Sequence, residues 1–174
     1  MKQVCLLALS MLLACSGGEG TPAAKVGSTE HDRQTDPMVE ENKRIALREE
    51  LDIDGWEKRQ DLVLERTGTG VRMKLIRDSV GVSAKPGQLA RIRFSVSLIS
   101  GRQCYASSLG ETEEFKIEED NVESGLHEAI QRMSVGDSAV IVLPSHRAYG
   151  LLGDKSKIPM RSTVIYRVGL VGVR

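Results

Sequence analysis

The stretch Ser145-His146-Arg147-Ala148-Tyr149-Gly150, followed by Gly153 and Ile158-Pro159, holds the residue types and spacing with the most chemical promise in this chain. A tyrosine between small residues, a glycine-containing loop and an Ile-Pro pair ahead of an apolar run suggest an apolar groove at a sheet edge, furnished with one hydroxyl. Such a groove suits a prolyl peptide better than a metal, a phosphate or a nucleophile. The histidines (His31 in the linker-like N-terminal stretch, His127 on the polar side of a helix and His146 in the loop after a strand) show no ligand spacing, and Cys104 has no nearby partner, so no metal site is expected. Ser145-His146 is no nucleophile–base pair, because neighbours on an extended chain point to opposite sides. Thr67-Gly68-Thr69-Gly70 lacks the lysine and the helix of a phosphate loop. No cofactor is implied. Taken alone, Tyr149 also fits a packed turn residue and Ile158 an ordinary core residue.

The elements that must position this stretch follow from hydrophobic period. Val71, Met73 and Leu75 alternate with charged or outward residues as a half-buried strand does. Lys85-Pro86-Gly87 marks a turn, and Leu89 to Ile99 alternates again, with Ile92, Phe94, Val96 and Leu98 on one face. Phe115 to Ile117 reads as a short strand and Asn121 as a cap for the helix after it. Leu126, Ala129, Ile130 and Met133 recur at helical spacing and form one apolar face, ended by Gly136-Asp137. Ser138 to Leu143 and Thr163 to Val173 are the closing strands. Strands on both sides of one amphipathic helix predict an α+β domain, an antiparallel twisted sheet wrapped around that helix.

The N-terminal part is organised differently. With 174 residues and 40% apolar composition, the chain has room for one ordinary domain and extensions. Lys+Arg and Asp+Glu both number 24, and this balance offers no electrostatic footprint for nucleic acid. Lys2 and the apolar run Val4 to Leu13 read as an export signal, too short for the roughly 20 residues a membrane span needs. Residues 15–36 read as a flexible tether reaching on the order of 25 Å. Asp36-Pro37 opens a charged helical segment, 37–66, with one helix to about Leu51 and a second short piece around Trp56. Its thin apolar stripe reads as a solvated helix, with a dimerisation helix as the lesser reading. Residues 67–174 form the sheet domain. With Cys5 removed with the signal and Cys15 modified, Cys104 has no disulfide partner and reads as a small packing residue.

Two resemblances extend this reading. Leu12-Leu13-Ala14-Cys15 resembles the bacterial lipobox, in which residues 1–14 are a signal peptide and Cys15 is lipidated; an ordinary signal peptide is the other reading. The ordered set Lys85-Pro86-Gly87, Gly101, Ser107-Ser108, Gly125-Leu126-His127-Glu128-Ala129-Ile130, Gly136-Asp137, Leu143-Pro144…Ala148-Tyr149-Gly150, Gly153 and Ile158-Pro159 resembles the FKBP-type peptidyl-prolyl isomerases from about Leu75 onward. With lipobox, tether and charged helix, the chain looks like lipoprotein FKBPs that include the gliding-motility-associated isomerases. The resemblance implies Tyr149, Ile158 and Tyr166 as catalytic residues, Tyr149 as the hydroxyl holding the peptide carbonyl. It implies Phe94, Val122, Leu126, Glu123, Phe115 and Tyr105 as substrate-binding, with Leu126 as floor where tryptophan is usual. It also implies proline-containing polypeptide clients and, through the lipid, a membrane partner in an exported, cell-envelope location. Cys104-Tyr105 stands where the family has Phe-Asp, and Glu123 where it has an apolar residue. Those departures bear on catalytic efficiency, and a noncatalytic chain-binding module of the same fold is the alternative function. A third reading is a structural surface lipoprotein that uses the helix from Pro37 as its interaction element.

Overall fold

The computed structural model describes residues 36–174; the signal segment, Cys15, His31 and nearly all of the tether lie outside them. Among the described residues the element order is α1 (Pro37–Gln60), β1 (Glu65–Arg66), β2 (Arg72–Arg77), β3 (Leu89–Leu98), β4 (Gln103–Ala106), β5 (Glu113–Lys116), α2 (Ser124–Ile130), β6 (Ser138–Leu143), a single 3-10 turn at Ser145–Arg147, and β7 (Val164–Val173). The sheet runs β1-β2-β6-β7-β3-β4, with β5 also paired to β3, and its strand pairs are antiparallel. This is the α+β architecture predicted from the hydrophobic period. No described helix is long and apolar enough to cross a membrane.

The continuous apolar run Ala139-Val140-Ile141-Val142-Leu143 reflects burial on both faces of one strand. Successive side chains of a strand point to opposite faces. Ala139, Ile141 and Leu143 therefore join the main core under α2, while Val140 and Val142 join a second cluster with Ile53 and Trp56 of α1, Leu64 and Ile165. On β7, Val164, Tyr166, Val168 and Leu170 face the main core and Ile165 faces the second cluster. The sheet thus carries α2 on one side and α1 on the other, within one compact unit, Asp36–Arg174.

Helix α1 starts as the sequence indicates. The Asp36 carboxylate accepts the Met38 N–H at 2.9 Å and Pro37 occupies the first turn. It then departs from expectation, running unbroken through Gly55 to Gln60 instead of stopping near Leu51. The two-piece division failed because the docking residues, Ile53 and Trp56, come late, after more than three turns that are solvated as the sequence indicates. An ion cluster centred on a buried arginine completes the contact. The Arg72 guanidinium, 5% exposed, donates to Glu50, Asp54 and Glu57 of α1 at 2.9, 2.6 and 2.7 Å.

Around α2 the structure makes three corrections. The N-cap is Glu123, not Asn121, and the helix ends at Ile130, six residues before the Gly136 turn. Met133 nonetheless stays on the buried face, 1% exposed. His127 is not on a polar side: it is buried, its Nδ1 accepting the Glu118 N–H at 2.9 Å. Nε2–H is therefore the donor to the Asp120 carbonyl at 3.0 Å. Its role is to pin the 118–120 turn ahead of Val122 and Glu123.

Candidate functional site

A cavity of about 520 Å³ opens between α2 and the concave face of the sheet. Leu126, on the first turn of α2 and 3% exposed, forms its floor. Phe94 of β3 and Tyr166 of β7 form one wall, their ring centroids 6.0 Å apart and tilted by 41°. Phe115 of β5 forms another and meets the His127 ring edge-on, with centroids 5.5 Å apart. Val122 and Glu123 line the cavity from the approach to α2, Tyr105 from β4, and Tyr149 from the segment after the 3-10 turn. Close backbone approach makes this possible. A Cβ on Gly125 would come within 2.6 Å of Leu143 Cδ2 and 3.0 Å of the Arg147 carbonyl, so only glycine lets α2 sit against the turn that leads to Tyr149.

Eight of the nine residues expected in or around a groove thus line one cavity. Ile158 does not. It is 2% exposed and packed in the main core beneath the loop, with its N–H donated to Asp154 Oδ1 at 2.8 Å. Ile92 and Val96 also line the cavity, and the alternation with Phe94 along β3 was the signal for both. Ala148 lines it beside Tyr149, and Glu113 and Glu114 line it from β5. Asp154 had no such signal, because only the fold of the 150s loop brings it to the site.

The polar groups form two sets. Tyr149 and Tyr166 carry hydroxyls that hold their protons well above the ordinary phenol range, through burial first and then the neighbouring Glu123 carboxylate. Both are therefore donors rather than phenolates. On the β4 side, Tyr105 donates its hydroxyl to Asp154 Oδ2. Asp154 Oδ1 accepts the N–H groups of Ser156 and Ile158, each at 2.8 Å. Desolvation pushes this carboxyl up, but the Tyr105 hydroxyl and the loop N–H donors outweigh it and hold it down at about 2. Lys157 Nζ sits 4.8 Å from the centroid of the Tyr105 ring, a cation–π contact. Where the family resemblance calls for an aspartate at position 105, this chain brings a carboxylate from the facing loop and meets it with a tyrosine hydroxyl. Cys104 is buried, its Sγ 3.7 Å from the Arg102 and Lys157 carbonyls, as expected of a packing residue.

An apolar cavity with aromatic walls and tyrosine donors is equipped to bind and reshape a peptide. The family model for the FKBP-type peptidyl-prolyl cis-trans isomerase matches residues 81–171. The chain is 32% identical over 107 residues to FK506-binding protein 1A of Aspergillus fumigatus, covering 60% of this chain and 95% of that protein. It is 31% identical over 97 residues to FK506-binding protein 2 of Dictyostelium discoideum, covering 55% and 73%. Among solved structures it is similar to FkpA from Escherichia coli, with a TM-score of 0.65 and 24% identity; the match covers 79% of this chain and 64% of the FkpA chain. At that identity the likeness to FkpA bears on the fold, and the sequence match carries the family. The chain belongs to the FKBP-type peptidyl-prolyl cis-trans isomerases.

Proposed function

We propose that this protein isomerises X–Pro bonds of exported or envelope polypeptides in the cavity between α2 and the sheet, tethered to a membrane through a lipid on Cys15. The observation that carries the catalytic part is the pairing of an apolar, aromatic-walled cavity with Tyr149 in its lining. Rotation about an X–Pro bond breaks amide conjugation and meets a barrier of roughly 18–20 kcal/mol. The twisted amide is less polar than the planar one, so a dry, apolar groove favours it over the ground state. Tyr149 donates to a substrate carbonyl and fixes the peptide, Phe94, Phe115 and Tyr166 wall in the proline ring, and Leu126 supports it from below. The Glu123 backbone N–H makes no hydrogen bond among the described residues and is a second donor for the peptide. No covalent intermediate enters this scheme.

The assay is the cis-to-trans rate of short X–Pro peptides. Tyr149→Phe should lower kcat/KM about tenfold, the loss of one hydrogen bond of roughly 1.4 kcal/mol in the transition state. Rates at the uncatalysed level for the unaltered protein would refute the enzyme reading and favour a chain-binding module, the reading to which Tyr105 in place of aspartate points. The anchor rests on Leu12-Leu13-Ala14-Cys15 and the tether composition. Mass spectrometry of the mature N-terminus should find acylated Cys15; an unmodified Cys15, or cleavage elsewhere, overturns it.

A further inference from the structure

Residues 145–163 carry Tyr149 and Asp154, and a single carboxylate from the opposite side of the sheet holds both ends of this segment. Glu49 Oε1 of α1 accepts the Ser145 N–H at 2.7 Å and the Thr163 hydroxyl at 2.6 Å, and Oε2 accepts the Ser145 hydroxyl at 2.9 Å. Hydrogen bonds to an ionised acceptor are among the strong ones. The link continues inward. The Ser145 carbonyl accepts the N–H groups of Ala148 at 3.1 Å and Gly150 at 2.8 Å, the two residues that flank Tyr149. The Gly150 carbonyl accepts the Arg161 N–H at 3.0 Å, which closes the segment on itself. Glu49 is itself held in place, because Arg72 grips Glu50, Asp54 and Glu57 of the same helix and Ile53 and Trp56 pack on the sheet. Helix α1 lies outside the residues matched by the family, 81–171.

We propose that Glu49 is a positioning residue for the isomerase site, and that α1 through it is part of the scaffold that aims the Tyr149 hydroxyl. The proposal rests on the isomerase reading of the groove. A misplacement of about 1 Å in a group that orients substrate can cost up to ~100-fold in rate, so a clasp two hydrogen bonds away from Tyr149 is close enough to matter.

The test uses the full chain and short X–Pro peptides. Glu49→Ala should lower kcat/KM on the order of tenfold and speed amide hydrogen exchange at Ala148 and Gly150. Glu49→Gln keeps an acceptor oxygen and should recover part of both. Glu50→Gln, one residue along and bonded to Arg72 instead, leaves Asp54, Glu57, Ile53 and Trp56 to keep α1 in place, and should lose stability yet keep the unaltered kcat/KM below its melting temperature. If Glu49→Ala does not fold, Thr163→Val removes one donor with little change of shape and should show the same direction in both readouts. Unaltered kcat/KM and exchange in Glu49→Ala (or in Thr163→Val in its place) would overturn the proposal while leaving the isomerase reading standing. An equal loss in Glu50→Gln would reduce Glu49 to general stability and overturn it too. An unaltered protein without isomerase activity would bring down the functional reading and this inference together.

Discussion

The Tyr149 hydroxyl can hold a peptide carbonyl only while it keeps its proton, and burial together with Glu123 pushes its ionisation above the ordinary value of 10.0. The opposite edge of the site works in the other direction. Asp154 must stay ionised to accept from Tyr105, Ser156 and Ile158, and those donors depress it from 3.8 to about 2. Because the folded-state value lies below the unfolded one, the stability this carboxylate lends the loop is complete above about pH 4. It is lost as the pH falls from there through about 2. Following the Ser156 and Ile158 amide signals by NMR during acid titration should give a midpoint near 2; a midpoint near the ordinary carboxylate value would contradict the clasp. Position 158 is also instructive. The residue adjoins the site in sequence, but its side chain supports the loop from inside the core and its N–H is already committed to Asp154.

At the scale of elements, α1 is held to the sheet by an apolar contact and an ion cluster. Three carboxylates converge on Arg72, and removing it would leave them facing one another at the sheet surface. Arg72→Ala should therefore cost about 3 kcal/mol, the lower end of the range for a broken buried pair, since Asp54 still reaches solvent. Part of that loss should return at about 1 M salt, which screens repulsion among the remaining carboxylates. Chemical denaturation at low and high salt measures both; a loss under about 1 kcal/mol, the value of a surface pair, would show that the cluster does not hold the helix. The short α2 needs no comparable clamp. Its seven residues are fixed by Leu126, Ala129 and Ile130 in the core and by the tight approach at Gly125.

For the molecule as a whole, what was legible in the chain follows from what is local. Period-two patterns placed β2 and β3, apolar runs placed β6 and β7, and the helical spacing of Leu126, Ala129 and Ile130 placed α2 and its buried face. Period also put Phe94 and Leu126 on inward faces, while the assignment of those two and of Tyr166 to the cavity walls came from the family resemblance. Features made by long-range pairing were not. Glu49 reads as one more charge on a charged helix, and only the fold brings it to Ser145 and Thr163, 96 and 114 residues away. The Tyr105–Asp154 pair spans 49 residues and joins a strand to a loop. The extent of α1 was hidden because its N-terminal turns are solvated while Ile53 and Trp56 dock. The buried setting of His127 was hidden because its partners are backbone groups of a turn that the pattern did not predict. The central claim is that this assembled groove turns over X–Pro bonds, and NMR exchange spectroscopy of a proline peptide tests it most directly. Uncatalysed exchange takes tens to hundreds of seconds. With a substoichiometric amount of the full chain, the account predicts cis–trans exchange fast enough to give cross-peaks, and peptide-induced shifts at the Tyr149, Glu123 and Phe94 amides. Unchanged exchange at equimolar protein, or shifts confined to another face, would contradict it.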